Sequence, residues 1–367
     1  MVAVSNLLER LNELAPFSLA EPWDNVGLLL GDKTMNVERI GIALDVTPQV
    51  LAQAAEKKIN CLITHHPLLF EAQKRFTADL WPDKAVLELA RRNIALVAMH
   101  TNLDKAAGGV NDCLAARLQL QRVRPLIEEK LTMRKLVVFV PETHAEQVAL
   151  AVTDAGAGRI GCYRDCTFRG SGTGTFRPLD GANPYIGKTG ELSRVAEVRI
   201  ETIMPEAAVD QVIAAMLSAH PYEEPAYDVY GLLTDFKQPG LGRIGEWEKP
   251  LSMQQAAALV KRLLSVATVR FADTGRLVKR VALCGGSGSD LWRIAKASGA
   301  DLLITADCKY HEAQHAWLSQ MNLLDLGHDD SERPVLEPLA ARLRNLLTDQ
   351  PATESMVLNE PSLWQSE

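Results

Sequence analysis

One plan is written twice in this chain, and a duplicated plan leaves few folds open. In the first copy, RIGIALDV (Arg39 to Val46) reads as a buried strand, PQVLAQAAEKK as a helix, NCLITHHP (Asn60 to Pro67) as a second strand and IALVAMHTNLD (Ile94 to Asp104) as a third. In the second, RVALCGGS (Arg280 to Ser287), a helix from Leu291 to Ala297, DLLITADCKYH (Asp301 to His311) and NLLDLGHDD (Asn322 to Asp330) take the same places. Arg280 follows Arg39 by 241 residues and Ile304 follows Ile63 by the same 241, which lays ITAD over ITHH. His328 follows His100 by 228, so the third strands match across a shortened connection. Continuous apolar strands alternating with helices pair in parallel and need helices on both faces. The expected fold class is α/β, with two related α/β units forming one layered core.

Residues 130 to 241 break the pattern and read as an insertion. KLVVFVP (Lys135 to Pro141) is strand-like, HAEQVALAVTDAGAG a helix closed by glycines, and Gly170 to Gly190 a polar, Gly-rich segment of long hairpin loops. AEVRIETIMP, AAVDQVIAAMLSAHP and AYDVYGL then read as strand, helix and strand. The order fits a small ferredoxin-like α+β domain. The expected domains are therefore residues 1–129 plus 242–367 for the two-part core, and 130–241 for the insert. HPYEEPAYD (His220 to Asp228), with Glu223 and Glu224 between prolines, reads as a turn and an edge guard.

At roughly 150 residues per domain, 367 residues suit two domains. A formal charge of −7 argues against a nucleic-acid binder, which needs a basic face to displace counterions. With 5% aromatic residues, a stacking groove for single strands is equally disfavoured. No run reaches the ~18 apolar residues of a membrane span, and Glu9, Arg10 and Glu13 rule out a signal peptide, so the expected location is the cytoplasm. The six cysteines (Cys61, Cys113, Cys162, Cys166, Cys284 and Cys308) are expected as reduced thiols, with no C-x2-C pair for structural zinc.

Sites in open α/β sheets form outside the carboxyl ends of strands, and polar residues gather there in both copies. His65 and His66 end one strand. Neighbours on an extended strand point to opposite faces, so both serve one site only if the chain turns at Pro67; otherwise one is a buried, backbone-bonded histidine and the other a surface residue. His100, Asn102 and Asp104 follow the next strand, where Asp104 alone would read as a turn cap. His328 and Glu332 stand at i and i+4, sharing a face if a helix begins there; the plainer account has Asp330 or Ser331 as its cap. Together His65, His66, Asp104, His328 and Glu332 offer three imidazoles and two carboxylates. That donor set suits two divalent ions such as Zn²⁺, Fe²⁺ or Mn²⁺, with positions left for water. Gly285, Gly286 and Ser287, in CGGSGSD, could cradle a phosphate or simply make a tight turn. Asp307, Lys309 and His311, aligned with ITHH, point to supporting or substrate-contact roles.

PWDNVGLLLGD (Pro22 to Asp32), ITHHPLLF (Ile63 to Phe70), HTNLD (His100 to Asp104), ITADCKYHEA and GHDDSE resemble, in combination, the GTP cyclohydrolase 1 type 2 homologue family, also called the Ngg1-interacting-factor-3-like or YbgI/YqfO family. The resemblance spans nearly the whole chain, and the insertion is similar to that of the longer YqfO-type members, whose extra domain resembles PII and CutA. It implies a dinuclear centre on His65, His66, Asp104, His328 and Glu332, with Glu332 as the bridge. It also implies a homohexameric ring built from trimers, with the metal sites facing an internal cavity and the inserted domains capping its openings. Ala306 stands where such proteins more often carry glycine.

The expected function is a metal-dependent hydrolase. In its GTP cyclohydrolase-like form a metal-bound hydroxide opens the guanine imidazole ring at C8, His100 or His311 shuttles protons, and Gly285, Gly286, Ser287 and Lys309 hold the substrate. A hydrolase of another nucleotide or phosphoester, or a non-catalytic regulatory or scaffold ring, are the competing expectations.

Overall fold

The structure, a computed structural model, describes residues 1–161, 163–234 and 236–361. It divides into two compact units, Met1–Glu128 with Pro239–Glu367, and Glu129–Gln238.

The first unit holds both copies of the repeat, each as a sheet with three parallel strands at its centre. One sheet is ordered Glu354–Val357, Arg39–Ala43, Cys61–Thr64, Ala95–Ala98, Gly27–Leu30; the last runs antiparallel to its neighbour. The other is ordered Arg270–Ala272, Asn322–Asp325, Leu302–Ala306, Val278–Ser287, Arg243–Leu251, Gln121–Pro125, and again the strand beyond the third parallel member is antiparallel. The registers repeat as well as the order. Ile40 lies opposite Cys61 and Val281 opposite Leu302, each pair offset by the same 241 residues. The third strands differ by one: Thr64 pairs with Ala98 and Thr305 with Asp325, an offset of 227 against the 228 that separates the histidines. The second copy thus has one extra residue between strand and histidine, in a turn where Gly327 takes φ +94°.

Alternation along these strands feeds two faces. Ile40, Ile42, Cys61, Ile63, Ala95 and Val97 pack with Leu7 and Leu11 of the helix Val4–Leu14 and with Leu339 and Leu343 of the helix Leu336–Leu346. Leu62 and Leu96 face the opposite way, onto Val50 and Ala54 of Pro48–Glu56 and Ala85 and Leu89 of Asp83–Arg91. The second sheet repeats this, with Val281, Leu283, Leu302 and Ile304 against Met253–Leu264, and Ala282 and Leu303 against Trp292–Ala297. With helices on both faces, the open ground is at the strand ends. No helix among the described residues is long and apolar enough to cross a membrane.

The second unit runs strand Met133–Pro141, helix Ala145–Asp154, strands Phe168–Phe176 and Ser193–Pro205, helix Val209–Ala219, strand Tyr227–Gly231. Its wholly antiparallel sheet places the fourth strand beside the first, then the third, then the second, the order of a ferredoxin-like sandwich. Leu136, Val138, Val140, Val198 and Ile200 meet the two helices on one face. The Gly-rich segment departs from the loop expected of it. Phe168–Phe176 is a nine-residue strand paired along its length with Ser193–Pro205. Its glycines at 170, 172 and 174 share one face, where backbone pairing holds the strand without side-chain packing.

Five cysteines, Cys61, Cys113, Cys166, Cys284 and Cys308, are free thiols, and Cys162 lies outside the described residues.

Candidate metal centre

The strand Cys61–Thr64 ends in a bend rather than a continued extension, with the His65 and His66 amides still bonded to the carbonyls of Ala43 and Leu44. The bend turns both rings to one side, their centroids 4.9 Å apart. The condition set by the sequence, a turn after the strand, is met within the histidine pair itself. His100 precedes the short buried helix Thr101–Lys105, and its ring stands 5.3 Å from that of His65 and 5.6 Å from that of His66. Asp104, one turn on, brings Oδ1 to 3.6 Å from His65 Nε2. From the second copy, the helix His328–Glu332 sets His328 Nε2 3.3 Å from Glu332 Oε1. Asp330 and Ser331 lie inside that helix; the Ser331 hydroxyl accepts from the Gly286 amide instead of capping.

Glu332 is the hub. Its oxygens lie 3.5 Å from His65 Nε2, 3.0 Å from His66 Nε2 and 3.3 Å from His328 Nε2. Ring nitrogens of His65, His66 and His100, and donor atoms of His66, His328 and Glu332, form two clusters, each with its atoms within 4.8 Å of one another.

Each imidazole is held by its other nitrogen. Nδ1–H of His65 donates to the Met99 carbonyl at 2.8 Å, that of His66 to Asp45 at 3.0 Å, that of His100 to Asp24 at 2.8 Å and that of His328 to Asp307 at 2.7 Å. Such bonds keep the proton on Nδ1 and turn Nε2 toward the cluster, where a neutral ring presents its lone pair. With the imidazoles neutral, His65 Nε2, His66 Nε2, Asp104 Oδ1 and Glu332 Oε2 are buried acceptors that face one another and find no donor among the described residues. Orphaned buried acceptors are costly, and four aimed at one place fit a cation.

The charges agree. Burial works against an ionised Glu332, yet His65, His328 and His66 hold its carboxyl well below the ordinary 4.5. Burial would depress His66, but Asp45 and Glu332 raise it to about 10; the Glu332 hydrogen bond raises His328 to about 9. Asp104 is pushed up to about 6 by burial, against the pull of His65. The metal-free cluster therefore keeps protons on imidazoles that a divalent ion would displace.

The other expected residues fall differently. Gly285 and Gly286 do line the cluster, but their amides donate to Asn111 Oδ1 at 2.9 Å and Ser331 Oγ at 2.8 Å, so those N–H groups are not open for a phosphate. Gly286 supplies room: a Cβ there, at φ +62°, would sit 2.4 Å from Glu332 Oε1, whereas one on Gly285 would meet Val110 at 2.7 Å. Ser287 is exposed at the strand end. Lys309 and His311 are exposed, and no hydrogen bond or ring contact among the described residues ties either to the cluster. From that stretch it is Asp307 that enters, behind His328. His100, expected as a proton carrier, stands among the donors themselves.

Sequence reasoning missed Asp24 and Asp45. Asp45 directly follows RIGIAL, the same strand-end position that drew attention to the histidines. Asp24 sits in PWDN, three residues ahead of the strand Gly27–Leu30 and directly after no strand, and also accepts from the Thr101 amide at 3.0 Å and hydroxyl at 2.5 Å. Trp23 and Phe70, 60% and 50% exposed, lie with rings 6.3 and 6.4 Å from His100 and 5.8 Å from each other. They form an aromatic rim beside the cluster.

Residues 2–362 match the family described as Duf34/NIF3 (NGG1p interacting factor 3). The chain belongs to this family. A Bacillus subtilis protein named GTP cyclohydrolase 1 type 2 homolog is 37% identical over 346 residues, covering 94% of this chain and 92% of its own. A Listeria innocua protein of the same name is 40% identical, covering 93% and 91%. The crystal structure of a Bacillus cereus protein related to NIF3 superposes with a TM-score of 0.78 at 38% identity, covering 100% of this chain and 98% of that one. As a Duf34/NIF3 protein, the chain carries its imidazole and carboxylate cluster on a fold it shares with that Bacillus cereus protein.

Proposed function

We propose that this Duf34/NIF3 chain is a dinuclear metal-dependent hydrolase of the cytoplasm, with His65, His66, Asp104, His328 and Glu332 as ligands, Glu332 as the bridge, and a nucleotide carrying a planar base as substrate. The observation that supports this reading is the convergence of three imidazole Nε2 atoms on the Glu332 carboxylate, where buried acceptors find no donor among the described residues once the rings are neutral. When bound, two divalent ions such as Zn²⁺, Fe²⁺ or Mn²⁺ supply a Lewis acid and an acidified water.

The chain's own residues do the rest. Asp45, Asp307 and the Met99 carbonyl hold three imidazoles in the ligating tautomer. His100, fixed through Nδ1 by Asp24, keeps Nε2 toward the cluster, where it takes a proton from the attacking water and passes it to the departing nitrogen of a C–N bond. Trp23 and Phe70 present faces on which a purine can stack. The relatives' name supports GTP as the compound to try first, with hydrolysis at C8 of its base. Residues 130–241 are proposed as a separate ligand-sensing domain related to PII and CutA, and the assembly as a homohexamer.

The test is metal stoichiometry on chelator-free protein, then GTP turnover on the same sample. Close to two metals per chain with GTP consumed supports the whole reading. Two metals without turnover moves it to another nucleotide or phosphoester, or to a regulatory ring; absence of metal overturns it. Light scattering should return a mass near six chains of 40.2 kDa.

A further inference from the structure

The second unit contains a cleft of about 890 Å³, built wholly from its own residues. Its floor is the sheet face turned away from the two helices, where glycines 170, 172 and 174 withhold side chains. Its walls are aromatic. Phe176 and Tyr185 stand 5.6 and 6.4 Å from Tyr222, ring centre to ring centre, and Phe139 joins them from the neighbouring strand.

At the base lies a carboxylate. Glu197 is only 9% exposed, and its one hydrogen bond among the described residues comes from the Tyr222 hydroxyl to Oε1 at 3.0 Å. No cation among the described residues pairs with it. Arg199, which also lines the cleft, is paired with Glu201 at 2.9 Å, and Arg177 donates to the Gly190 carbonyl at 2.6 Å. Oε2 of Glu197 projects over the sheet so closely that a Cβ on Gly174 would meet it at 2.0 Å. Glycine there is what lets the carboxylate reach the cleft. His220 secures the arrangement: its Nε2–H donates to the Phe139 carbonyl at 3.0 Å and its Nδ1 accepts from the Tyr222 amide, also at 3.0 Å. The charged lining is four carboxylates (Glu197, Glu201, Glu223 and Glu224) against two guanidinium groups (Arg177 and Arg199).

A buried carboxylate with no counter-ion, walled by aromatic rings, is complementary to a cation whose charge is spread over alkyl groups. We infer that this cleft binds a small molecule bearing a quaternary or alkylated ammonium group, which rests against Phe176, Tyr185 and Tyr222 and is neutralised by Glu197. The volume leaves room for a body beyond the headgroup.

Tetramethylammonium and choline are the probes, with 3,3-dimethylbutanol as choline's neutral isostere, titrated into the full-length protein by calorimetry. Choline and tetramethylammonium should bind, with the neutral isostere weaker by about tenfold or more. Glu197→Gln, which can still accept from Tyr222, should weaken choline about tenfold while leaving the isostere unchanged. If that variant does not fold, Tyr185→Ala on the exposed wall should weaken choline instead. No binding of either cation, equal binding of cation and isostere, or undiminished choline binding in a folded variant would each overturn the inference.

Discussion

At the residue scale, Glu332 decides the character of the site, because removing it takes away the one group that touches three imidazoles. Glu332→Ala should strip most bound metal while leaving helical content intact, read by elemental analysis and circular dichroism. A folded variant with full metal would sink the bridging role, and lost helicity would favour a purely structural one. Asp24 supplies a test that needs no metal. Burial alone would raise its carboxyl, but hydrogen bonds from His100 and Thr101 win and hold it at about 2, below the ordinary 3.8. A carboxyl depressed in the folded state stabilises the protein above its unfolded value, and that contribution is lost as the pH falls through its folded value. In chelated protein, Asp24→Asn should therefore lower the melting temperature clearly at pH 7 and little near pH 2; an equal loss at both pH values would contradict the linkage. The histidines were legible because strand ends announce them. Their Nδ1 partners were less so, since an aspartate such as Asp24 declares its role only when the fold brings residue 24 to residue 100.

At the element scale, the repeat could be read because a buried parallel strand is a continuous apolar run, and a constant offset between two sets of such runs rarely arises except by repetition of one unit. Phe168–Phe176 was unreadable for the opposite reason. Its alternate glycines carry no hydrophobic signal, and its strand conformation comes from pairing with residues 193–201 across a 16-residue connection. From composition alone the Gly285–Gly286 turn could be a phosphate cradle or a plain tight turn; its amides are engaged, and the missing side chain of Gly286 is what admits Glu332. Gly286→Ala should thus reduce metal content sharply. Gly275→Ala is the matched control, since Gly275 also has positive φ (+79°) but a Cβ there meets nothing within 4 Å. It should carry a similar backbone cost, about 1–2 kcal/mol, and keep its metal. Equal metal loss in both would point to backbone strain rather than crowding of Glu332.

At the scale of the whole molecule, every cluster residue and every group holding one lies in residues 1–128 or 239–367. The chain leaves and re-enters this unit side by side, with the Gly240 amide bonded to the Ile127 carbonyl at 3.0 Å. Replacing residues 129–238 by a short flexible link should therefore give a folded protein with its full metal content; a folded but metal-free product would show that the insert contributes to the centre. The donors themselves are divided unequally, His65, His66, His100 and Asp104 on one copy of the repeat and His328 and Glu332 on the other. Neither copy is self-sufficient, so a chain that has completed only one sheet has no complete cage to offer. Under the proposed metal binding, metal content would then be a certificate of finished folding, and a nascent or half-unfolded molecule would be spared from carrying a reactive ion before the walls around it exist.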